Sequence, residues 1–321
     1  MPHIQIRGVD HYYQWVSDQS NSDQSNSDQF NSNQSNLETA GSSATSQPNF
    51  GKPVLVFLHG WAGSTRYWES TAQALADQFD CLLYDLRGFG RSRLPRPLPD
   101  TVTALGYELD SYADDLALLL DQLGLQQVFL NAHSTGASIA ALFLNRYPER
   151  VNRAILTCNG VFEYDERAFK AFHQFGGYVV GFRPNWLSKI PLVDRMFMAR
   201  FLRRSIPATA RRAFLEDFLM ADYEAALGTI YTAVSKQASE VMPQEFAKLT
   251  VPTLLISGEY DQIIPVELGR KAAMLNPNVE HVVIPETAHF PMLEDSQTYL
   301  QLVREFLQVP QLCSPDSQQS R

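Results

Sequence analysis

Cysteine is scarce in this chain, which has three in 321 residues: Cys81, Cys158 and Cys313. An odd number of widely separated cysteines forms no disulfide framework, and none of them stands at the spacing of a zinc site. Cys81 and Cys158 fall in apolar runs typical of strands, so we expect both to be core residues. No histidine, cysteine and carboxylate cluster has metal-ligand spacing, and the sequence therefore predicts neither a metal nor another cofactor.

Positive charge and long apolar runs are also in short supply. Lysine and arginine number 26 against 35 aspartate and glutamate residues, a net charge of −9 that disfavours general nucleic-acid binding. No stretch approaches the ~20 consecutive apolar residues that span a bilayer. Residues 1–16 lack the basic start and apolar run of a secretory signal. We therefore expect a cytoplasmic protein without a transmembrane segment.

Two segments are too polar to belong to a packed core. Four pentapeptides, SDQSN, SDQSN, SDQFN and SNQSN, occupy residues 17–36 and continue into a stretch rich in serine, threonine and glycine. Such a composition cannot bury enough apolar surface to fold, so residues 17–49 are predicted to be a disordered insert in a surface loop. Residues 311–321 are predicted to be a disordered tail.

The remaining sequence alternates between strand-like and helix-like runs. Strands are predicted at 2–7, 11–16, 53–58, 81–85, 128–133, 153–158, 251–257 and 281–285, the first two forming a hairpin around 8–10, with helices near 66–78, 106–123 and 295–307. This alternation predicts an α/β protein whose mostly parallel sheet is covered by helices on both faces. A helical block at 161–242 interrupts it, so we divide the core into residues 1–160 and 243–310.

The most informative motif is AHSTGA at residues 132–137, between the apolar run 128–130 and a helix-like run at 138–147. Small-x-Ser-x-Gly between a strand and a helix is the setting of a nucleophile elbow, a sharp turn that exposes the serine hydroxyl. Small residues on either side of Ser134 let strand and helix approach closely. Ala132 stands where glycine is usual. The alternative is an ordinary turn whose serine caps the helix.

Three further segments accompany this motif. The first is the strand at 53–58, which runs into a glycine-containing loop with the sequence HGWAG. The second is the strand before Asp261, which ends in an acidic turn. The third is the strand before His289, which ends in a loop. The chain order serine, acid, histidine resembles the α/β-hydrolase superfamily, in its capped serine-hydrolase branch of esterases and thioesterases. The resemblance runs from about Ile4 to Val309, except for the insert and part of the helical block. That family carries a helical cap in the position of this block, between the sixth and seventh strands.

The resemblance implies a catalytic triad of Ser134, Asp261 and His289. A serine hydroxyl needs a positioned base, and the acid holds the histidine in the right tautomer. Of the seven histidines, only His289 lies in a loop after the last core strand. Asp261 is preferred to Glu259 because it sits further into the turn.

The resemblance also implies an oxyanion hole of two backbone N–H groups. Thr135 follows the nucleophile at the start of a helix whose dipole adds positive potential, and Trp61 follows the His-Gly pair. Trp61, His133 and Phe290 are predicted to contact the substrate. Packing of Trp61 against the cap is the alternative role for its side chain, and the two roles are compatible.

Basic residues concentrate in one part of the expected cap. Between positions 183 and 212, the acid Asp194 stands against eight basic residues: Arg183, Lys189, Arg195, Arg200, Arg203, Arg204, Arg211 and Arg212. An amphipathic helix with a solvated basic face explains this pattern. The alternative is attraction to an anionic amphiphile, such as an acyl-carrier thioester, a lipid or an anionic membrane surface, with Arg200, Arg203 and Arg204 as the first candidates.

These observations predict a serine hydrolase that cleaves an ester or thioester of a small to medium apolar acyl compound through an acyl-enzyme. The same triad could instead support C–C bond hydrolysis, a lyase step or perhydrolase chemistry. A ligand-binding receptor or scaffold that retains the triad is the alternative of a different class. Burst kinetics with an activated ester would separate that receptor from an enzyme.

Overall fold

The computed structural model describes residues 2–18 and 51–308. Nearly all of the predicted insert at 17–49, and the whole predicted tail at 311–321, lie outside the described residues. The disorder expected for these two segments therefore stays a prediction. Among the described residues, no helix is both long enough and apolar enough to cross a membrane.

One eight-stranded sheet forms the centre of the fold. Its strands are β1 His3–Ile6, β2 Val9–Val16, β3 Val54–Leu58, β4 Asp80–Tyr84, β5 Val128–His133, β6 Val151–Thr157, β7 Thr253–Gly258 and β8 Val279–Ile284. Their order is β1-β2-β4-β3-β5-β6-β7-β8. The pairs β1/β2 and β2/β4 are antiparallel and every later pair is parallel, which confirms the predicted mostly parallel α/β sheet.

Helices cover both faces of this sheet, as predicted. They are α1 Glu69–Leu75, α2 Asp100–Thr103, α3 Leu109–Gln122, α4 Thr135–Arg146, α5 Glu166–Gly181, α6 Val193–Met198, α7 Ala208–Met220, α8 Tyr223–Ala233, α9 Lys236–Lys248, α10 Val266–Met274, α11 Pro291–Glu294 and α12 Ser296–Leu307. Strand residues alternate between the two cores, because successive side chains of a strand point to opposite faces. In β3, Val54, Val56 and Leu58 pack in one core, and Leu55 and Phe57 pack in the other.

One detail of the predicted elements is wrong, and one helix was not predicted. The hairpin turns at Arg7 and Gly8, with φ of 50° and 85°, and β2 begins directly at Val9. Positive φ at both central residues is typical of the two-residue hairpin turn whose twist matches that of the strands. The turn therefore lies earlier in the chain than the predicted position at 8–10. Helix α10, between β7 and β8, was not predicted because its buried positions are only Gly269 and Ala272, which carry little apolar signal.

Helices α5 to α9 lie between β6 and β7, within the block predicted to be a cap, and we refer to this block as the cap. Two buried carboxylates tie the cap to loops of the sheet. Asp217 on α7 accepts a hydrogen bond of 2.6 Å from the Ser64 hydroxyl, and Asp222 accepts one of 2.7 Å from the N–H of Leu94. The cap is therefore anchored above the carboxyl ends of the parallel strands, next to the loop after β3.

Three histidines are buried in the sheet and its first loops: His11 on β2, His59 after β3 and His133 at the end of β5. Burial disfavours the charged imidazole and lowers the pKa of all three, to about 4 for His11 and well below the usual value for His133. They are neutral in the folded protein at neutral pH.

We expect these histidines to make the protein sensitive to acid. Below a pH of about 6.5, each unfolded imidazole binds a proton that the folded one does not. The free energy of unfolding therefore decreases as the pH is lowered. Each buried histidine contributes a slope of up to about 1.4 kcal/mol per pH unit. Urea unfolding at several pH values measures this slope, and His11→Phe should reduce it by about one histidine's share.

The matched control is His3→Phe on the neighbouring strand, since the His3 side chain is exposed. It should leave the slope nearly unchanged. A slope that is the same in His11→Phe and in the unsubstituted protein would contradict this account of acid sensitivity.

Candidate active site

Ser134 occupies a strained turn between β5 and α4. Its φ of 53° and ψ of −121° lie outside the regions that residues other than glycine ordinarily adopt. Its N–H donates to the Thr157 carbonyl of β6 at 2.8 Å, which fixes the turn to the sheet. A Cβ at Gly136 would stand 2.4 Å from the His59 carbonyl oxygen, so a close approach requires glycine there. Ala132 is fully buried in β5, and its methyl group fits at this position.

The structure brings Ser134, His289 and Asp261 together, although they are far apart in the chain. His289 Nδ1 lies 2.7 Å from Asp261 Oδ2, and Nε2 lies 3.2 Å from Ser134 Oγ. A carboxylate only accepts, so Nδ1–H donates to Asp261 and the lone pair of Nε2 faces the serine hydroxyl. This tautomer is the one that can remove a proton from Ser134.

Asp261 lies in the turn after β7 and is buried. Its second oxygen accepts hydrogen bonds from the N–H groups of Ile263 and Ile264, at 2.7 and 3.0 Å. Burial alone would raise the pKa of Asp261, but His289 and these N–H donors outweigh burial and lower it. The competing acid, Glu259, is exposed and accepts from the Glu286 N–H instead of reaching His289.

Glu294, on α11, holds the loop that carries His289. One of its oxygens accepts from the N–H groups of Ala288 and Phe290, on either side of the histidine, at 2.9 and 3.2 Å. The other oxygen accepts from the N–H groups of Arg203 and Arg204 in the cap, at 2.6 and 2.8 Å. Sequence reasoning missed this carboxylate, because it belongs to no motif and its partners in the cap lie about ninety positions away.

The two N–H groups predicted for an oxyanion hole lie beside Ser134. Thr135 begins α4, and Trp61 lies in the loop after β3, whose Gly60 would bring a Cβ within 3.1 Å of Ser134 Cβ. Neither N–H group donates to an acceptor in the described part of the chain. The side chain of Trp61 lines the pocket beside Ser134, and its indole N–H donates to the Ala226 carbonyl of the cap at 2.9 Å.

A buried relay joins the loop after β3 to the histidine loop. The Gly60 N–H donates to Tyr67 Oη at 2.5 Å, and Tyr67 Oη lies 3.0 Å from His133 Nδ1. His133 Nε2 lies 2.7 Å from the His289 carbonyl oxygen. Since a carbonyl only accepts, His133 carries its proton on Nε2 and accepts from Tyr67 at Nδ1. Both ring nitrogens of His133 are therefore used within the protein. The imidazole ring can contact a substrate only through its surface, as part of the pocket wall.

A small pocket opens beside Ser134, with a cavity volume of ≈ 70 Å³. Its walls are mostly aromatic: the lining residues are Gly60, Trp61, His133, Ser134, Phe201, Phe214, Ile263, His289 and Phe290. All three residues predicted to contact substrate, Trp61, His133 and Phe290, lie in this wall. Sequence reasoning missed Phe201 and Phe214, since nothing distinguishes them from the other apolar residues of the cap.

One group of side chains in the described ranges has the spacing of a metal site. The ligand atoms of His133, Cys158 and His289 lie within 4.8 Å of one another. His133 has both nitrogens in hydrogen bonds, and His289 faces Asp261 and Ser134. Burial, with the nearby charge of Asp261, raises the pKa of the Cys158 thiol and disfavours the thiolate that binds metals. We assign no metal to this group.

The chain is similar to enzymes of known fold and name. It is 27% identical to a bifunctional esterase/perhydrolase of Acinetobacter calcoaceticus and 28% identical to the non-heme chloroperoxidase CPO-A1 of Kitasatospora aureofaciens. These matches cover 77% and 74% of this chain and 88% and 85% of those proteins. An esterase structure from Thermogutta terrifontis superposes with a TM-score of 0.67 at 21% identity, covering 96% of this chain and 98% of that one. The family model of the α/β-hydrolase fold matches residues 53–296, so this chain belongs to the α/β-hydrolase family.

Proposed function

We propose that this α/β hydrolase is a serine esterase that acts on esters of small acyl groups through an acyl-enzyme. One observation carries the proposal: the hydrogen-bonded series Ser134, His289 and Asp261 opens onto a pocket with apolar walls. Such a series activates a serine hydroxyl that is otherwise a poor nucleophile at neutral pH.

The proposed reaction has two halves. Ser134 Oγ attacks the carbonyl carbon while its proton passes to His289 Nε2, and Asp261 stabilises the imidazolium that forms. The N–H groups of Trp61 and Thr135 hold the negative oxygen of the tetrahedral intermediate. His289 then protonates the leaving alcohol or thiol. A water molecule, deprotonated by His289, attacks the acyl-enzyme and releases the acid and free Ser134.

The size of the pocket supports a short acyl group. A water-sized group needs about 10–15 Å³ of such a volume, so ≈ 70 Å³ holds about five to seven of them. Phe201 and Phe214 come from the cap, and Phe290 follows His289 in the core. A long acyl chain would have to displace at least one of these rings. Esters and thioesters of short acids both fit this volume. The volume restricts the acyl group and sets no restriction on the leaving group.

A perhydrolase activity is the second candidate. Hydrogen peroxide in place of water would attack the same acyl-enzyme and release a peracid, and no further residue is needed for that step. The similarity to a protein named as a bifunctional esterase/perhydrolase favours testing it. Formation of a peracid from a short carboxylic acid and hydrogen peroxide measures this activity, and its absence in an active esterase would remove this candidate.

One prediction concerns Ser134, His289 and Asp261. Ser134→Ala and His289→Ala should each reduce kcat by about 10⁴-fold or more on an activated short ester, because the residues act as a unit. Asp261→Asn should be somewhat milder. Matched controls are Ser138→Ala, on the same helix, and Glu259→Gln, in the same turn, and both should keep most of the activity. Full activity in a folded Ser134→Ala protein would contradict the mechanism.

Another prediction concerns the pocket walls. Phe214→Ala should shift the ratio of kcat/KM between octanoyl and acetyl esters toward octanoyl by about tenfold or more. The matched control is Phe218→Ala, since Phe218 is equally buried on the same helix but does not line the pocket. Because both kcat/KM values scale with the concentration of folded protein, the ratio between the two esters does not depend on it. An equal shift in both variants would show that loosening of the cap, rather than pocket size, sets the preference.

A further inference from the structure

The cap presents large apolar side chains to solvent. Phe175 and Tyr178 on α5 are 66% and 69% exposed, and Phe182, directly after the helix, is 69% exposed. The Phe182 N–H donates to the Tyr178 carbonyl at 3.0 Å, so the spacing of three and four residues places all three on one face. The segment that follows adds Trp186, Leu192 and Met196, of which Met196 is 77% exposed. We name these six residues the cap apolar surface.

The cap does not need these side chains for its own packing. Val179 on α5 and Val193 and Phe197 on α6 fill the inner side, where they pack against Leu215 and Phe218 of α7. Helix α5 also packs against α8, where Gly176 and Gly177 lie next to Ile230 and Tyr231. The elements that carry the cap apolar surface are therefore packed on their inner side and turn their remaining apolar residues outward. An outward group of aromatic residues on a water-exposed protein marks an interaction surface.

Positive charge without an ion-pair partner among the described residues lies in the same segment as Trp186, Leu192 and Met196. Lys189, Arg195 and Arg200 are exposed, and none forms an ion pair within the described residues. The acid in this stretch, Asp194, is already paired with Arg211 at 3.0 Å. The surface is therefore locally basic on a chain whose net charge is −9.

The structure corrects the choice of arginines made from sequence. Arg203 pairs with Glu286 at 3.1 Å, and Arg204 pairs with Asp295 at 2.9 Å, so both hold the cap to the core. Of the three first candidates, only Arg200 has no ion-pair partner among the described residues.

We propose that the cap apolar surface docks on an anionic lipid surface, with the aromatic rings at headgroup level and Lys189, Arg195 and Arg200 on lipid phosphates. Tyrosine and tryptophan suit that boundary because one end of each ring is apolar and the other polar. Long basic side chains bury their stems and keep the charge at the phosphate layer.

Charge complementarity selects a lipid surface over a second copy of the chain. In a symmetric dimer the same patch faces itself, so the unpaired cations would meet like charges. An anionic membrane offers an apolar phase and a negative layer together, which matches both parts of the surface. Docking is separate from hydrolysis, since none of these residues lines the pocket beside Ser134.

Co-sedimentation with vesicles tests the proposal, using phosphatidylcholine alone and phosphatidylcholine mixed with phosphatidylglycerol. The full chain should bind the anionic vesicles more tightly, and added salt should weaken that binding. Met196→Gln should reduce binding severalfold. Met274→Gln is the matched control, because Met274 is 81% exposed on α10, outside the cap, and should bind like the unsubstituted chain.

A second pair of variants separates local from overall charge. The double change Arg195→Gln and Arg200→Gln should weaken binding to anionic vesicles about fivefold for each charge removed. The control, Arg270→Gln with Lys271→Gln on α10, removes the same net charge elsewhere and should have a much smaller effect. Hydrolysis of a soluble short ester should be unchanged in all of these variants, so docking and catalysis fail independently.

Three results would overturn the proposal. The first is equal affinity for neutral and anionic vesicles, or no binding to either. The second is an equal loss of binding in each variant and its control. The third is a dimer, seen by light scattering, that Met196→Gln dissociates, which would assign the surface to a second copy of the chain.

Discussion

The close approach of the turn at Ser134 to the loop after β3 is the constraint on which the candidate site depends. Gly136 leaves no room for a side chain against the His59 carbonyl, and Gly60 brings the same loop against Ser134. This contact holds Ser134 in its strained conformation and brings the loop that carries Trp61 next to it. Strain of this kind persists only when the surrounding structure enforces it.

Backbone hydrogen bonds to buried side chains hold the rest of the site. Glu294 binds both flanks of His289, Asp261 is fixed by two N–H groups of its own turn, and His133 joins the histidine loop to Tyr67. Each loop is thereby tied to a strand end or to its neighbour. The proposed chemistry resides in the sheet's loops, whereas the cap supplies Phe201 and Phe214, which limit the space for substrate. Changes in the cap should therefore alter the preference for substrates of different size more than they alter the reaction itself.

Strands and motif positions were predictable where the sequence carries a local signal. The apolar run of β5 gave its bounds correctly, and chain order with turn position led to Ser134, Asp261 and His289, which the structure brings together. The pocket walls that the cap supplies, Phe201 and Phe214, and the carboxylate Glu294 were not predictable, because they meet the site from distant positions in the chain. The ion pairs of Arg203 and Arg204 were missed for the same reason. The sequence therefore carried no sign that some basic residues of the cap are paired with acids of the core.

The central claim is that Ser134 is the nucleophile. The most direct measurement is the mass of the peptide that a fluorophosphonate labels in the active protein, with the Ser134→Ala variant as its control. The account predicts one phosphonyl adduct on Ser134, loss of esterase activity in step with labelling, and no adduct in the variant. Labelling of another residue, or full activity after Ser134 is labelled, would contradict it.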